Sequence, residues 1–150
     1  MSDIRRRGLL LAFLALLSAC ERIPQDPEGT LDRIRDKQAI RVGIVSSGEK
    51  DASVQRALIA RLQQATRANA VVERGATEPL LVKLQDGALD VVIGEFDTAT
   101  PWNTHVTFVP ETKTLADRGL KVASFAVARN GENEWITLLH REARSLEKQQ

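Results

Sequence analysis

"GALDVVIGEFDTATPW", residues 87–102, runs from a glycine stop through an apolar stretch to a polar end. Val91, Val92 and Ile93 stand in a row with no polar residue alternating between them. A short β-branched run bounded by turn residues is the pattern of a strand covered on both faces. Cover on both faces needs helices and crossovers, so this strand predicts an α/β fold with a mostly parallel sheet. The character then changes at once, as Glu95, Asp97, Thr98 and Thr100 follow. In open α/β sheets ligands sit beyond the carboxyl ends of strands. The polar end of this strand is therefore where a site is expected.

The flanking segments agree with that reading. Upstream, "TEPLLVKLQDG" (77–87) reads as a helix with a Thr cap, apolar at Leu80, Leu81 and Leu84 and stopped by Gly87. "AVVERG" (70–75) and "IRVGIV" (40–45) read as strands. Between them "DASVQRALIARLQQATRA" (51–68) places Val54, Leu58, Leu62 and Ala65 at helical spacing, with Asp51 or Ser53 as N-cap. "LDRIRDKQA" (31–39) is a short amphipathic helix before the first strand. Downstream, "HVTFV" (105–109) and "LKVASFAVA" (120–128) read as two more strands, and "NEWITLLHREARSL" (133–146) as a closing helix with Trp135 heading its apolar stripe. The expectation is one single-lobe α/β domain over 31–150. Its mostly parallel open sheet is flanked by helices, with the first strand central and Leu58, Leu84, Val92 and Ile93 in the core. Ser46, Ser47 and Glu49 after the first strand should share an edge with residues 95–102.

The amino-terminal end follows a different plan. "MSDIRRRG" carries three arginines, "LLLAFLALL" is too short to span a bilayer comfortably, and "LSAC" closes it with small residues. Basic end, apolar middle and small-residue stop make an export signal over residues 1–19. Leu17-Ser18-Ala19-Cys20 resembles the lipobox of bacterial lipoproteins, and that resemblance implies acylation of Cys20. Residues 20–30, "CERIPQDPEGT", would then tether lipid to domain. Arg6-Arg7-Gly8-Leu9-Leu10 also fits a minimal twin-arginine pattern, so the general and twin-arginine export routes both stay open. The lone cysteine leaves no intramolecular disulfide to form. Removing the signal takes the formal charge from +1 to about −1.

Composition narrows the function. A charge this near zero and only 4% aromatic residues give no footprint for nucleic acid. His105 and His140, the two histidines, share no metal-ligand spacing. No phosphate-cradling glycine loop and no Gly-x-Ser-x-Gly elbow occurs. Neither an enzyme, a metal nor a cofactor is expected. Glu95 and Asp97, two apart on an extended segment, point to one side; they hold a cation or simply end a solvated loop. Trp102 either stacks on a ligand or covers the sheet end.

Three stretches in order, "LDRIRDKQAIRVGIV", "LLVKLQDGALDVVIGEFDTATPW" and "HVTFVPET", resemble the periplasmic solute-binding proteins of ABC importers, amino-acid type. Leu84, Gly87, Asp90, Thr98, Thr100, Val106, Phe108 and Pro110 carry the resemblance. It implies a type II lobe whose ligand rim comprises Ser46, Ser47, Glu95, Asp97, Thr98, Thr100 and Trp102. Two features depart from the family. There is room for one lobe rather than two, with "KTLADRG" (113–119) standing where a second would be. The threonine loop also lacks the arginine that grips a ligand carboxylate. The resulting expectation is an exported, lipid-anchored envelope protein facing the periplasm. It serves as an accessory or sensing subunit that binds a small polar solute weakly and partners a transporter or other envelope membrane protein. The alternative is a protein-interaction module that has lost its ligand. A homodimer would be one way to rebuild a two-walled site.

Overall fold

A computed structural model describes residues 26–46, 52–97, 100–109, 122–123 and 126–147. Cys20, Ser47, Glu49, Asp51, Thr98 and segment 113–119 lie outside the described residues, as does the side chain of Asp97.

Helix α1 (Thr30–Lys37) leads into β1 (Ala39–Val45) through Gln38, which adopts a left-handed turn conformation. Helix α2 (Ala52–Thr66) crosses to β2 (Asn69–Gly75), and α3 (Thr77–Gln85) crosses to β3 (Val91–Ile93). A two-residue strand β4 (Phe96–Asp97) and a 3-10 turn (Pro101–Thr104) precede β5 (Val106–Val109). Strands β6 (Val122–Ala123) and β7 (Ala126–Arg129) follow, and α4 (Asn133–Glu147) closes the fold.

The main sheet has five strands in the order β2-β1-β3-β7-β5. The two β-α-β crossovers give parallel pairs, β1 with β2 and β1 with β3. Strand β7 runs antiparallel to both β3 and β5, so four strands share one direction and β7 opposes them. No helix separates β5 from β7 among the described residues, and adjacent strands without a crossover helix pair antiparallel. The centre of the sheet is β3, not β1 as expected; β1 lies one place out.

Two strands expected as continuous are broken. The run "LDVVIGEF" leaves the main sheet at Gly94, and Phe96–Asp97 pair instead with Val122–Ala123. A Cβ at Gly94 would stand 2.7 Å from Val45 Cβ, so the backbone there presses on β1 and turns away. "LKVASFAVA" divides the same way into β6 and β7, which belong to different sheets. One expected cap fails: helix α3 starts at Thr77 behind Ala76, so Thr77 is helical rather than capping. Of the two caps expected for α2, Ser53 lies inside the helix, and Asp51 lies outside the described residues.

Packing follows the strand period of two. Ile40, Val42, Ile44, Val91, Ile93, Ala126 and Ala128 face α1, α2 and α4, where Leu58, Leu62, Trp135 and Leu139 complete a buried cluster. Val92 and Val127 face α3, with Leu80, Leu81, Leu84, Leu89, Phe96 and Val106. This two-sided cover is why β3 is apolar on both faces. The expected core residues Leu58, Leu84, Val92 and Ile93 are all buried.

Candidate functional site at the carboxyl edge of the sheet

Strands β1, β2 and β3 end at one level. Ile44 is in register with Ile93, and Val45 with Gly75. Ser46, Glu95 and the first turn of α3 therefore emerge at the same edge. Ser46 is exposed, and its N–H donates to the Gly75 carbonyl at 2.9 Å. Glu95 is exposed beside buried Gly94 and Phe96.

Thr100 and Trp102 are placed by local rules. Thr100 caps the 3-10 turn, its Oγ1 accepting the Trp102 N–H at 3.4 Å, with Pro101 at the first position of the turn. Trp102 is half-buried against the α3-side cluster. Its indole N–H donates to both carboxylate oxygens of Glu78, at 3.2 and 3.1 Å. The His105 ring meets the indole edge-on at 6.2 Å between centroids. Trp102 thus covers the core with its body and reaches the rim with its polar tip.

Of the expected rim, the structure brings Ser46 and Glu95 to one edge and ties Trp102 to it through Glu78. Thr100 spends its hydroxyl on the turn. Glu78 was not among the residues expected at the rim. The rule that named Ser46 and Glu95 would have named it, because it opens the helix after β2's carboxyl end.

Two further polar clusters lie elsewhere. Asp90, almost wholly buried before β3, accepts from the Arg41 backbone N–H at 2.8 Å and from its guanidinium at 2.6 and 3.3 Å, and pairs with Arg33. The Trp135 indole N–H donates to the Asp90 carbonyl at 2.7 Å. At the start of α4, buried Glu132 accepts the N–H groups of Glu28 and Thr30 at 3.1 and 3.0 Å. Burial pushes the Asp26 carboxyl up to about 7, helped by its hydrogen bond to Glu132 and by the charges of Glu132 and Glu134. For Glu132, burial pushes upward, but hydrogen bonds from Asp26, Thr30 and Glu28 outweigh it and hold the carboxyl below its ordinary value. These clusters clamp elements together. They sit at strand starts and at the α1–α4 junction, away from the rim.

A shallow groove of about 350 Å³ between α1 and α4 is lined by Leu31, Arg35, Glu134 and Arg141 among others, and includes no rim residue. Among the described residues no three His, Cys, Asp or Glu side chains gather as metal ligands would. No described helix is long and apolar enough to cross a membrane.

No family model matches the sequence, and no curated protein matches it significantly. Solved structures do match in fold. Domain 1 of TmArgBP, in its arginine-bound form, is 13% identical with a TM-score of 0.64; the match covers 76% of this chain and 98% of that one. An ancestral cationic amino acid solute-binding protein is 12% identical with a TM-score of 0.60, covering 80% and 94%. A mutant of ArgBP from T. maritima is 8% identical with a TM-score of 0.62, covering 80% and 94%. At these identities the likeness is one of fold. The chain has the architecture of a single lobe of an amino-acid solute-binding protein.

Proposed function

We propose that this chain is a lipid-anchored envelope protein whose one lobe holds a small cationic solute of the amino-acid class at the carboxyl edge of its sheet. The observation that carries this reading is the match to domain 1 of TmArgBP, an isolated domain with an arginine-bound form, of which this chain covers 98%. One lobe of this architecture is thus enough to hold a cationic amino acid. The rim chemistry supports the same class. Glu78 and Glu95 offer carboxylates to an ammonium or guanidinium, and Trp102 offers an aromatic face close to one of them. Ser46 adds an exposed hydroxyl beside β1. Ser47, Asp97, Thr98 and Thr100 complete the proposed rim.

In this reading the protein binds rather than catalyses. Cys20 carries the lipid, the domain faces the periplasm, and the bound state is read by a transporter or another envelope membrane protein. Titration with arginine, lysine, glutamate and a neutral amino acid, followed by calorimetry and tryptophan fluorescence, tests the solute. The expected result is saturable binding of the cationic ligands only, with a fluorescence change that Trp102→Phe abolishes and an affinity that Glu78→Gln lowers about tenfold or more. Absence of binding by all four ligands would leave the protein-interaction module as the standing alternative. Mass spectrometry of the mature amino terminus tests the anchor. A diacylated or triacylated Cys20 supports it, and a chain still holding Met1 or starting at Glu21 opposes it.

A further inference from the structure

Strand β2 is an outer strand of the main sheet, and among the described residues it pairs only with β1. Its backbone directions can be read from its two ends. The Asn69 N–H donates to the Gln38 carbonyl, and the Gly75 carbonyl accepts from Ser46, both at 2.9 Å. Backbone groups alternate sides along a strand. Odd-numbered residues of β2 therefore turn theirs toward β1, and Ala70, Val72 and Arg74 turn N–H and C=O outward. Val71 and Val72 are 60% and 44% exposed. Native edges are usually blunted by proline, a bulge, short length or charged side chains, lysine above all; the charges on β2 are Glu73, which accepts from Lys83 Nζ at 2.8 Å, and Arg74. This strand is seven residues long, pairs with β1 without a bulge, and contains neither proline nor lysine.

We propose that this edge pairs antiparallel with β2 of a second copy of the chain, Val72 facing Val72 across a twofold axis. The inference does not depend on solute binding. In this register Ala70 faces the partner's Arg74 and Val71 faces the partner's Glu73. Every outward N–H and C=O then falls in a hydrogen-bonded pair. The Arg74 stem lies over the partner's Ala70, and no like charges meet. The neighbouring registers are worse. A slip of one residue sets outward groups against inward ones. A slip of two in one direction sets Glu73 against Glu73. A slip of two in the other sets Arg74 against Ala68, whose N–H already goes to Thr66 Oγ1 at 3.3 Å. The strand is self-complementary in one register, and that selects a second copy as its occupant. The axis is perpendicular to the sheet, so the two carboxyl edges point in opposite directions and the pair does not close two rims on one ligand.

Cross-linking in the full chain tests the register. In a Cys20→Ala background an introduced thiol is the only one present. Val72→Cys places two thiols on a hydrogen-bonded pair with Cα atoms about 5.5 Å apart, within disulfide range. Arg74→Cys places them about 13 Å apart along the strands, beyond it. The expected result is a covalent dimer from Val72→Cys under mild oxidation and none from Arg74→Cys. The mass in solution should also halve when Val72→Lys sets two charges against each other. Circular dichroism matching the parent confirms that this variant is folded. No linkage at Val72, or equal linkage at both positions as from random association through the apolar leader, would overturn the proposal. So would a parent that is monomeric at about 100 µM, a concentration at which strand pairing of even micromolar affinity would be nearly complete.

Discussion

Asp90 shows what a single buried carboxylate does in this fold. Its oxygens collect the Arg41 backbone N–H and two guanidinium groups, while its carbonyl takes the Trp135 indole. One residue thus fastens α1, β1, β3 and α4 at the amino end of the sheet. Asp90→Ala leaves Arg33 and Arg41 facing each other without their shared anion. Because both guanidinium groups are about one-third exposed, the cost should fall somewhat below a fully buried pair, at about 2–4 kcal/mol in urea unfolding. The rim lies at the other end, so solute affinity of the folded fraction should not change. In the sequence Asp90 stood out only as part of a motif. Its partners lie 57 and 49 residues away, and no local pattern announces such a pairing. The Asp26–Glu132 pair was unreadable for the same reason, and it gives a pH dependence. Folded Asp26 keeps its proton up to about pH 7, whereas its ordinary value is 3.8. Between those values the folded state binds the extra proton, so Asp26's contribution is complete below about pH 4 and is lost as pH rises through 7. Glu132, held low, contributes above its ordinary value of 4.5 and loses that as pH falls. Melting temperature should therefore decline from pH 5 to pH 8. Asp26→Asn, which can donate to Glu132 at any pH, should flatten that decline; a parent profile already flat over this range would refute the assignment.

The elements themselves were largely legible, because each carries its own periodicity. The four helices and the strands β1, β2 and β5 fall within a few residues of their expected bounds, and Trp135 is wholly buried at the head of its stripe. Where the reading failed, tertiary contact overrode local propensity. "VVIGEF" has strong strand formers on both sides of Gly94, yet the main sheet ends there because the backbone lies against Val45. A methyl at that position would meet Val45 Cβ at 2.7 Å and Cγ2 at 2.9 Å, and Cβ is fixed to the β1 backbone. Gly94→Ala should therefore cost about 1–3 kcal/mol by overpacking. Gly43 makes a useful contrast. A Cβ there would meet the far ends of Leu89 and Leu80 at 2.9 and 3.2 Å. Those tips can swing aside, so Gly43→Ala should cost less than Gly94→Ala in the same urea series. Equal losses would mean that the β1–β3 approach is not rigid at its carboxyl end.

At the scale of the whole molecule, the main consequence is that the described residues give the proposed site one wall. Well-formed pockets bury most of a small ligand's surface. The described rim lies along one sheet edge, and β5 ends level with the start of β7, Val109 beside Ala126. The chain therefore passes from one to the other within residues 110–125, where the sequence has no room for a second lobe. This limit on size was readable from the sequence, whereas the rim's main polar contact, Trp102 to Glu78, needed the tertiary fold. A ligand on one wall keeps roughly half its surface in water, and much of the electrostatic gain from Glu78 and Glu95 is screened. Binding by a single lobe should therefore be weaker than about 1 µM, that is, less favourable than about −8 kcal/mol. It should also weaken further as salt rises from 50 to 500 mM. The β2-edge dimer cannot rescue the affinity, because its two rims face opposite ways; Val72→Lys should change the mass in solution and leave the solute dissociation constant unchanged. Calorimetry of parent and variant at both salt concentrations checks all three points. Submicromolar, salt-independent binding would mean that a second wall exists, supplied by residues 110–121 or by another interface between copies.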